Sequence, residues 1–267
     1  MNRLLLAALL ATTALPAWAE EVTLDCLADP AETVAVGSPV TGVVREVMVG
    51  RGDRVRAGDI VARLDATIEE ADVAVAEAQA AATEVVEAQQ AKLALAEANL
   101  QRARQLVESG SVTQSRLEEL EALVAIARSD LATETRRLDL AQIELERSRA
   151  VLSLRTLTSP LDGFVTAQGT SEGEFLRQDG VVFTVARTDP LYIEAYAPVE
   201  YYGRLTSGAV GKVELSQPPG TIMDPEVTVI DAVFDAASST FGLRLELPNP
   251  ENALPAGQHC RVTFTLP

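Results

Sequence analysis

Histidine, cysteine and lysine are nearly missing from this chain of 267 residues, which has one His, two Cys and Lys only at Lys92 and Lys212. A metal centre built on imidazole or thiolate needs three or four such ligands, so no metal site is expected. A nucleophilic triad would have to be assembled around His259 alone, which stands beside Cys260 in a run of strand character and reads as a surface or interface residue. Positive charge is also short: 22 Lys and Arg stand against 39 Asp and Glu, for a net charge of −17. Nucleic acid and anionic membrane surfaces both require clustered Lys and Arg, so neither is an expected partner. The acidity reads as solubility and spacing by self-repulsion. Aromatic residues make up only 4%, which argues against a carbohydrate-binding platform. Gly50-Arg51-Gly52 lacks the third glycine and the helix of a phosphate loop. The acid pairs Glu69-Glu70 and Glu118-Glu119 read as solvated helix faces. No catalytic residue and no cofactor is expected, and the chain reads as non-enzymatic.

A bilayer-spanning apolar run is missing as well. The stretch from Leu4 to Leu15 is too short to cross a membrane. With Arg3 before it and Ala17-Trp18-Ala19 after it, residues 1–19 read as a secretory signal peptide. There is no twin arginine, and no cysteine follows the cleavage site, so an exported, unlipidated chain is expected. In an oxidising compartment the pair Cys26 and Cys260 is expected to form a disulfide, two free buried thiols being the alternative. No Cys-x-x-Cys motif suggests redox catalysis.

What is present is a repeat. Ser38-Pro39-Val40-Thr41-Gly42-Val43-Val44 returns as Ser159-Pro160-Leu161-Asp162-Gly163-Phe164-Val165, and the same spacing then leads to Gly52-Asp53 and Gly173-Glu174. The tails Val55 to Val61 and Leu176 to Val182 match with one residue inserted. Short β-branched runs broken by Gly-acid turns predict small β-units. Neither half buries enough apolar surface alone, so the two are expected to pair into one sandwich.

Between the copies lies a segment without proline, whose only glycine is Gly110. Val75, Ala82, Val86, Gln89, Leu93, Ala96, Leu100, Ala103 and Val107 follow a three-four spacing. Leu117, Leu120, Val124, Ala127, Leu131, Leu138, Ala141, Leu145 and Leu152 do so on the return, interrupted by Glu134. This predicts a two-helix antiparallel coiled coil. Gly110 suits the end of the first helix, and Thr113 or Ser115 the start of the second, with Glu118 completing a capping box for Ser115. Helices of about forty residues would give a rod on the order of 60 Å long.

Beyond Leu191, short alternating runs separated by Pro218-Pro219-Gly220, Asn249-Pro250 and Pro255-Ala256-Gly257 predict a small antiparallel barrel, to which Val22 to Leu27 adds a strand. The fold class is α+β: a split β-sandwich with an inserted antiparallel coiled-coil α-hairpin, followed by a small antiparallel β-barrel. The boundaries are a signal peptide at 1–19, an N-terminal strand joining the barrel at 20–35, the first sandwich half at 36–66, the hairpin at 67–152, the second half at 153–188 and the barrel at 189–267.

The split half-motifs, the hairpin between them and the barrel ending in Leu254-Pro255-Ala256-Gly257-Gln258-His259-Cys260-Arg261-Val262 resemble the periplasmic adaptor subunits, or membrane fusion proteins, of bacterial tripartite efflux pumps. The resemblance implies that the split sandwich is lipoyl-like, and that the chain is a periplasmic adaptor that joins an inner-membrane transporter to a TolC-type outer-membrane channel. The transporter it favours is of RND type, an ABC exporter being the alternative, and the implied assembly is a homo-oligomer, commonly a hexamer. The half-motifs are also similar to biotinyl and lipoyl carriers, but neither lysine lies on a tight hairpin and the coiled coil replaces that turn.

Adaptors of this family that dock on TolC-type channels carry an Arg, a Leu four residues later and a Ser seven beyond that. Arg102, Leu106 and Thr113 match that spacing with Thr for Ser, and are the candidate channel contacts; Arg104 and Val112 are secondary. The alternative class of function is a periplasmic coiled-coil scaffold without transport.

Overall fold

In a computed structural model, residues 20–107, 110–178 and 180–266 are described. The signal peptide expected at 1–19, the side chain of Val107 and the Asp179 position of the repeat lie outside them. The chain runs as β1 (Glu20–Gly37), β2 (Gly42–Val47), β3 (Arg54–Val55), β4 (Ile60–Leu64), α1 (Thr67–Ala80), α2 (Glu84–Val107) and α3 (Gln114–Ser153). It continues as β5 (Thr156–Thr158), β6 (Gly163–Gln168), β7 (Phe175–Leu176), β8 (Val181–Pro198), β9 (Lys212–Leu215), β10 (Ile222–Met223), β11 (Glu226–Ile230), β12 (Thr240–Leu247) and β13 (Gln258–Leu266). The class is α+β.

The repeat folds by exchange between its copies. The turn at Gly52 has φ 94° and its equivalent at Gly173 has φ 81°, conformations that a side chain disfavours. Gly52 N–H donates to the Val165 carbonyl and Val165 N–H to Asp53; reciprocally, Gly173 N–H donates to Val44 and Val44 N–H to Glu174. Val44 and Val165 hold the same place in the motif and are both buried. In each copy the buried serine donates its hydroxyl to the carbonyl two residues on, Ser38 to Val40 and Ser159 to Leu161. Each half therefore supplies the partners that the other lacks. The tails differ: Gly58 is left-handed at φ 90°, whereas Gly180 is not. The sandwich core holds Val44, Val61, Leu64, Leu157, Leu161, Val165 and Phe183.

Two long strands join this sandwich to the barrel. β1 and β8 pair antiparallel from Cys26↔Ala195 to Gly37↔Val181, with register shifts at Pro30/Glu32 and Val36/Gly37. The barrel order is β10-β9-β13-β1-β8-β12-β11. It is closed by Val227 N–H to Ala209 and Gly211 N–H to Pro225, which join β11 to the segment before β9. β1 and β13 are in register from Glu20↔Leu266 to Ala28↔Gln258, which puts Cys26 opposite Cys260 with their Cα atoms 4.9 Å apart, joined by a disulfide. Alternation along β12 sends Phe241, Leu243, Leu245 and Leu247 inward. On the outside, Arg244 donates to Glu194 at 2.6 Å and lies over Tyr192; the Glu194 hydrogen bond holds its pKa above the ordinary guanidinium value.

The hairpin corrects the sequence reading in its first arm. One long helix is expected there, but the arm breaks at Ala81-Ala82-Thr83 into α1 and α2. In α1 the buried side chains are Val73 and Ala76, while Val75 is 58% exposed and Ala82 is exposed at the break. The physical reason is a change of phase. Glu69, Val73, Ala76 and Ala80 face α3 below the break, and Val86, Gln89, Leu93, Ala96, Leu100 and Ala103 above it, and one continuous three-four pattern cannot join the two sets. Thr83 opens the new helix, its carbonyl accepting from Glu87 N–H. A cleft of ≈ 430 Å³ lined by Gln79, Ala82, Val86, Glu134 and Leu138 lies beside the break. The α3 seam follows the expected positions, and Glu134 sits within it, half-buried. The ion pairs Arg104–Glu121, Arg128–Glu97 and Arg149–Glu77 fix the antiparallel register of the arms.

Candidate functional site at the hairpin tip

The tip is built by a glycine stop and a threonine start. Gly110 has φ 73°, and Ser111 N–H donates to the Leu106 carbonyl at 3.0 Å, the six-residue closing bond of a glycine-terminated helix. Thr113, at φ −78° and ψ 152°, is the N-cap of α3, and its hydroxyl accepts from Arg116 N–H at 3.3 Å. Of the two capping residues open in the sequence, the structure therefore selects Thr113; Ser115 is inside the helix. Below the turn, Leu100, Ala103, Leu120 and Val124 form a small buried cluster with Val112 and Leu117 packed on it.

The three candidate contacts are all exposed. Arg102 and Leu106 are one turn apart on the side of α2 away from the seam residues Leu100 and Ala103. Arg102 donates to the Asn99 side chain, which orients the guanidinium along its own helix. Leu106 is 47% exposed. The Thr113 hydroxyl accepts the cap bond and keeps its proton to donate outward. The secondary candidates are engaged within the hairpin: Arg104 pairs with Glu121 at 2.8 Å, and Val112 is half-buried on the cluster. His259 is exposed in β13 opposite Leu27, far in sequence from any of these. Among the described residues no group of three His, Cys, Asp or Glu side chains is placed to hold a metal ion, and no helix is long and apolar enough to cross a membrane.

The root of the hairpin holds residues that sequence reasoning missed. Arg155, just past α3, donates to Glu69 in α1 and, at 2.8 Å, to the Thr41 carbonyl in the first repeat copy. Glu69 is thus a half-buried ion-pair partner, a correction to the solvated face expected for Glu69-Glu70. Asp65 caps α1 from outside, accepting from both the hydroxyl and the N–H of Thr67, and these bonds lower its carboxyl pKa below the usual value.

This split β-unit, with a helical hairpin between its halves and a seven-stranded barrel beside it, shares its fold with the solved membrane fusion protein Spr0693 from Streptococcus pneumoniae. Over 93% of this chain and 79% of the other, the structure superposes on MacA from Actinobacillus actinomycetemcomitans with a TM-score of 0.78 at 20% identity. The TM-score to ZneB from Cupriavidus metallidurans is 0.52 at 22% identity, covering 93% of this chain and 99% of that one. The chain has the membrane fusion protein fold. Its residues 190–267 match the CusB-like β-barrel domain family. Among curated relatives, the nickel-cobalt-cadmium resistance protein NccB of Alcaligenes xylosoxydans xylosoxydans is 26% identical over 188 residues, 70% of this chain and 43% of the relative. The multidrug resistance protein MdtA of Klebsiella pneumoniae is 25% identical over 238 residues, 84% of this chain and 53% of the relative. The chain spans about half the length of the curated relatives it matches.

Proposed function

We propose that this chain is a periplasmic adaptor of a tripartite transporter. In that role it acts as a ring of copies that links an inner-membrane pump to an outer-membrane channel of TolC type. The observation that carries the reading is the tip, where Arg102, Leu106 and Thr113 are all exposed at the end of a slender hairpin. A guanidinium, an apolar knob and a hydroxyl exposed at one end of a rod suit a protein surface that offers carboxylates, an apolar groove and carbonyls. The hairpin acts as a reach device and carries no substrate chemistry. The tip spacing and the RND designation of the matching barrel domain favour an RND-type pump as the inner-membrane partner. An ABC exporter, served by adaptors of the same build, is the second reading.

The test is crosslinking in cells with a photoreactive residue at Arg102 or Thr113 and a control at the exposed Asp139 on α3. Capture of an outer-membrane channel from the tip positions alone is the expected result. Capture of only soluble or cell-wall components from a well-expressed protein overturns it and supports a scaffold instead.

A further inference from the structure

A cleft of ≈ 470 Å³ opens where β6 of the sandwich meets the loop between β12 and β13 of the barrel. On one side are Phe164 and Ala186, register partners on β6 and β8, with Thr166 and Thr188 two residues further along each strand. On the other is the run from Asn252 to Gly257, and Pro30, at a register shift of β1, completes the lining. The volume falls in the range of small-molecule sites, about 300–1,000 Å³, and such sites favour the junction of two units.

The lining is uncharged. Among the described residues no ionisable side chain faces this cleft, in a chain that is 23% charged, whereas the cleft beside the helix break has Glu134 and Arg137. A charged ligand would give up its hydration here without meeting a counter-charge, so the site selects a neutral one. One polar group is held ready. The Thr188 hydroxyl donates to Asn252 Oδ1 at 2.6 Å, which fixes the amide, and among the described residues its Nδ2 has no hydrogen-bond partner. Asn252 therefore offers a positioned donor to an acceptor oxygen.

The wall that carries this amide is strained and pinned. Glu251 and Asn252, neither of them glycine, are both left-handed, at φ 63° and 57°. Such backbone persists only where its surroundings over-determine it, and it gathers at ligand clamps. Asn249, 1% exposed, supplies the constraint: its N–H donates to Asp189, its Nδ2 to the Thr188 and Leu254 carbonyls, and its Oδ1 accepts from Leu254 N–H. At the other end Gly257 N–H donates to the Ala28 carbonyl at 2.7 Å. The cleft is thus preformed, and a ligand need not order its wall on binding.

We propose that this cleft binds a small, neutral, largely apolar molecule carrying a carbonyl-type oxygen, with its apolar body against Phe164 and Leu254 and its oxygen on the Asn252 amide. Such a molecule touches the sandwich and the barrel together, so its binding stabilises the junction between them. The proposal goes beyond the adaptor reading and does not rest on it.

The test uses the purified full chain and two neutral fluorescent probes, Prodan, a naphthyl ketone, and N-phenyl-1-naphthylamine, which has no carbonyl. Prodan should bind saturably at one site per chain, with a blue-shifted emission, and raise the thermal unfolding midpoint. Thr166→Phe fills the cleft from an exposed strand position and should abolish that binding while keeping the unfolding midpoint of the free chain. Asn252→Gly suits the left-handed backbone and removes the donor; it should weaken Prodan roughly fivefold and leave N-phenyl-1-naphthylamine unchanged. Absence of saturable binding overturns the proposal, and so does Prodan binding that survives in Thr166→Phe or is unaltered in Asn252→Gly. Binding seen only on dilution of the chain would give the cleft to a second copy and likewise overturn it. Failure of the probes leaves channel capture at the tip untouched, and failure of that capture leaves the cleft.

Discussion

Arg155 and Glu69 are joined by a half-buried ion pair at the root of the hairpin, with side-chain exposures of 21% and 13%, and the same guanidinium reaches the Thr41 carbonyl. One side chain thus ties α1, the end of α3 and the first repeat copy into a single corner. Arg155→Ala would leave Glu69 with an uncompensated charge and should cost ~2 kcal/mol, below the value for fully buried pairs because water still reaches the site. Arg155→Lys should recover little of this, since an ammonium cannot fork between a carboxylate and a carbonyl in the same geometry. Denaturant unfolding of the two variants measures it, and a loss in Arg155→Ala within error of zero would remove the corner from the account.

The disulfide joins strands that already share nine register pairs, so its loss should lower stability without dissolving the barrel. The loop it closes spans a separation of 234 residues. The chain-entropy account then gives a loss of ~5 kcal/mol on reduction, an upper bound because the neighbouring pairing persists. Equilibrium unfolding with and without reductant, together with thiol titration before and after denaturation, checks both parts. Thiols that react in the folded, unreduced protein would contradict the bridge.

Much of this was legible in the residues, and the misses have physical causes. The repeat could be read because only glycine suits the turns at Gly52 and Gly173, and the hairpin turn because Gly110 is the one glycine in its segment. The α3 seam could be read because its leucines stand out against charged neighbours. The α1 seam could not: an alanine-rich helix offers Val73-Ala76 and Val75-Ala78 as equally apolar stripes, and only α3 decides between them. The break at 81–83 contains neither glycine nor proline, so no local residue announces it. Arg155 and Glu69 are separated by 86 residues, and nothing local pairs them.

At the tip, stability and docking should separate. Arg102→Asp and Leu106→Asp replace exposed groups and should leave the unfolding midpoint nearly unchanged while abolishing channel capture. Thr113→Ser keeps both the cap and the outward proton and should behave as the parent. Thr113→Val removes the cap as well, costing ~1 kcal/mol of stability besides the docking loss. Thermal unfolding and crosslink yield, measured on the same four proteins, test the separation; retained capture in Leu106→Asp would exclude Leu106 from the contact.

Asp65 gives an acid response of known sign. Its carboxylate accepts from the Thr67 hydroxyl and N–H, and its pKa is lowered by those bonds. A group depressed on folding contributes stability above its unfolded value, about 3.9, and loses it as pH falls through the lower folded value. Asp65→Asn should therefore flatten the fall in stability below about pH 4 and leave the curve near neutrality parallel to the parent. Unfolding free energies measured across that acid range decide it, and an unchanged acid limb would show that the cap does not contribute to the pH dependence.

The glycines Gly42 and Gly163 hold the same place in the two repeat copies but are constrained by different neighbours. A Cβ on Gly163 would stand 2.2 Å from the Ala186 carbonyl oxygen, a backbone atom of β8 that cannot yield without disturbing the long strand. On Gly42 it would meet the Arg155 guanidinium at 2.7 Å, the far end of a flexible side chain. Gly163→Ala should therefore cost several times more than Gly42→Ala, roughly 3 kcal/mol or above against ~1 kcal/mol. The Gly42 penalty should act through Arg155, so in an Arg155→Ala background Gly42→Ala should become nearly neutral, a coupling that a double-mutant cycle reads directly. Additive losses would mean that Gly42 is required by its own backbone and that the hairpin root is not held through this contact.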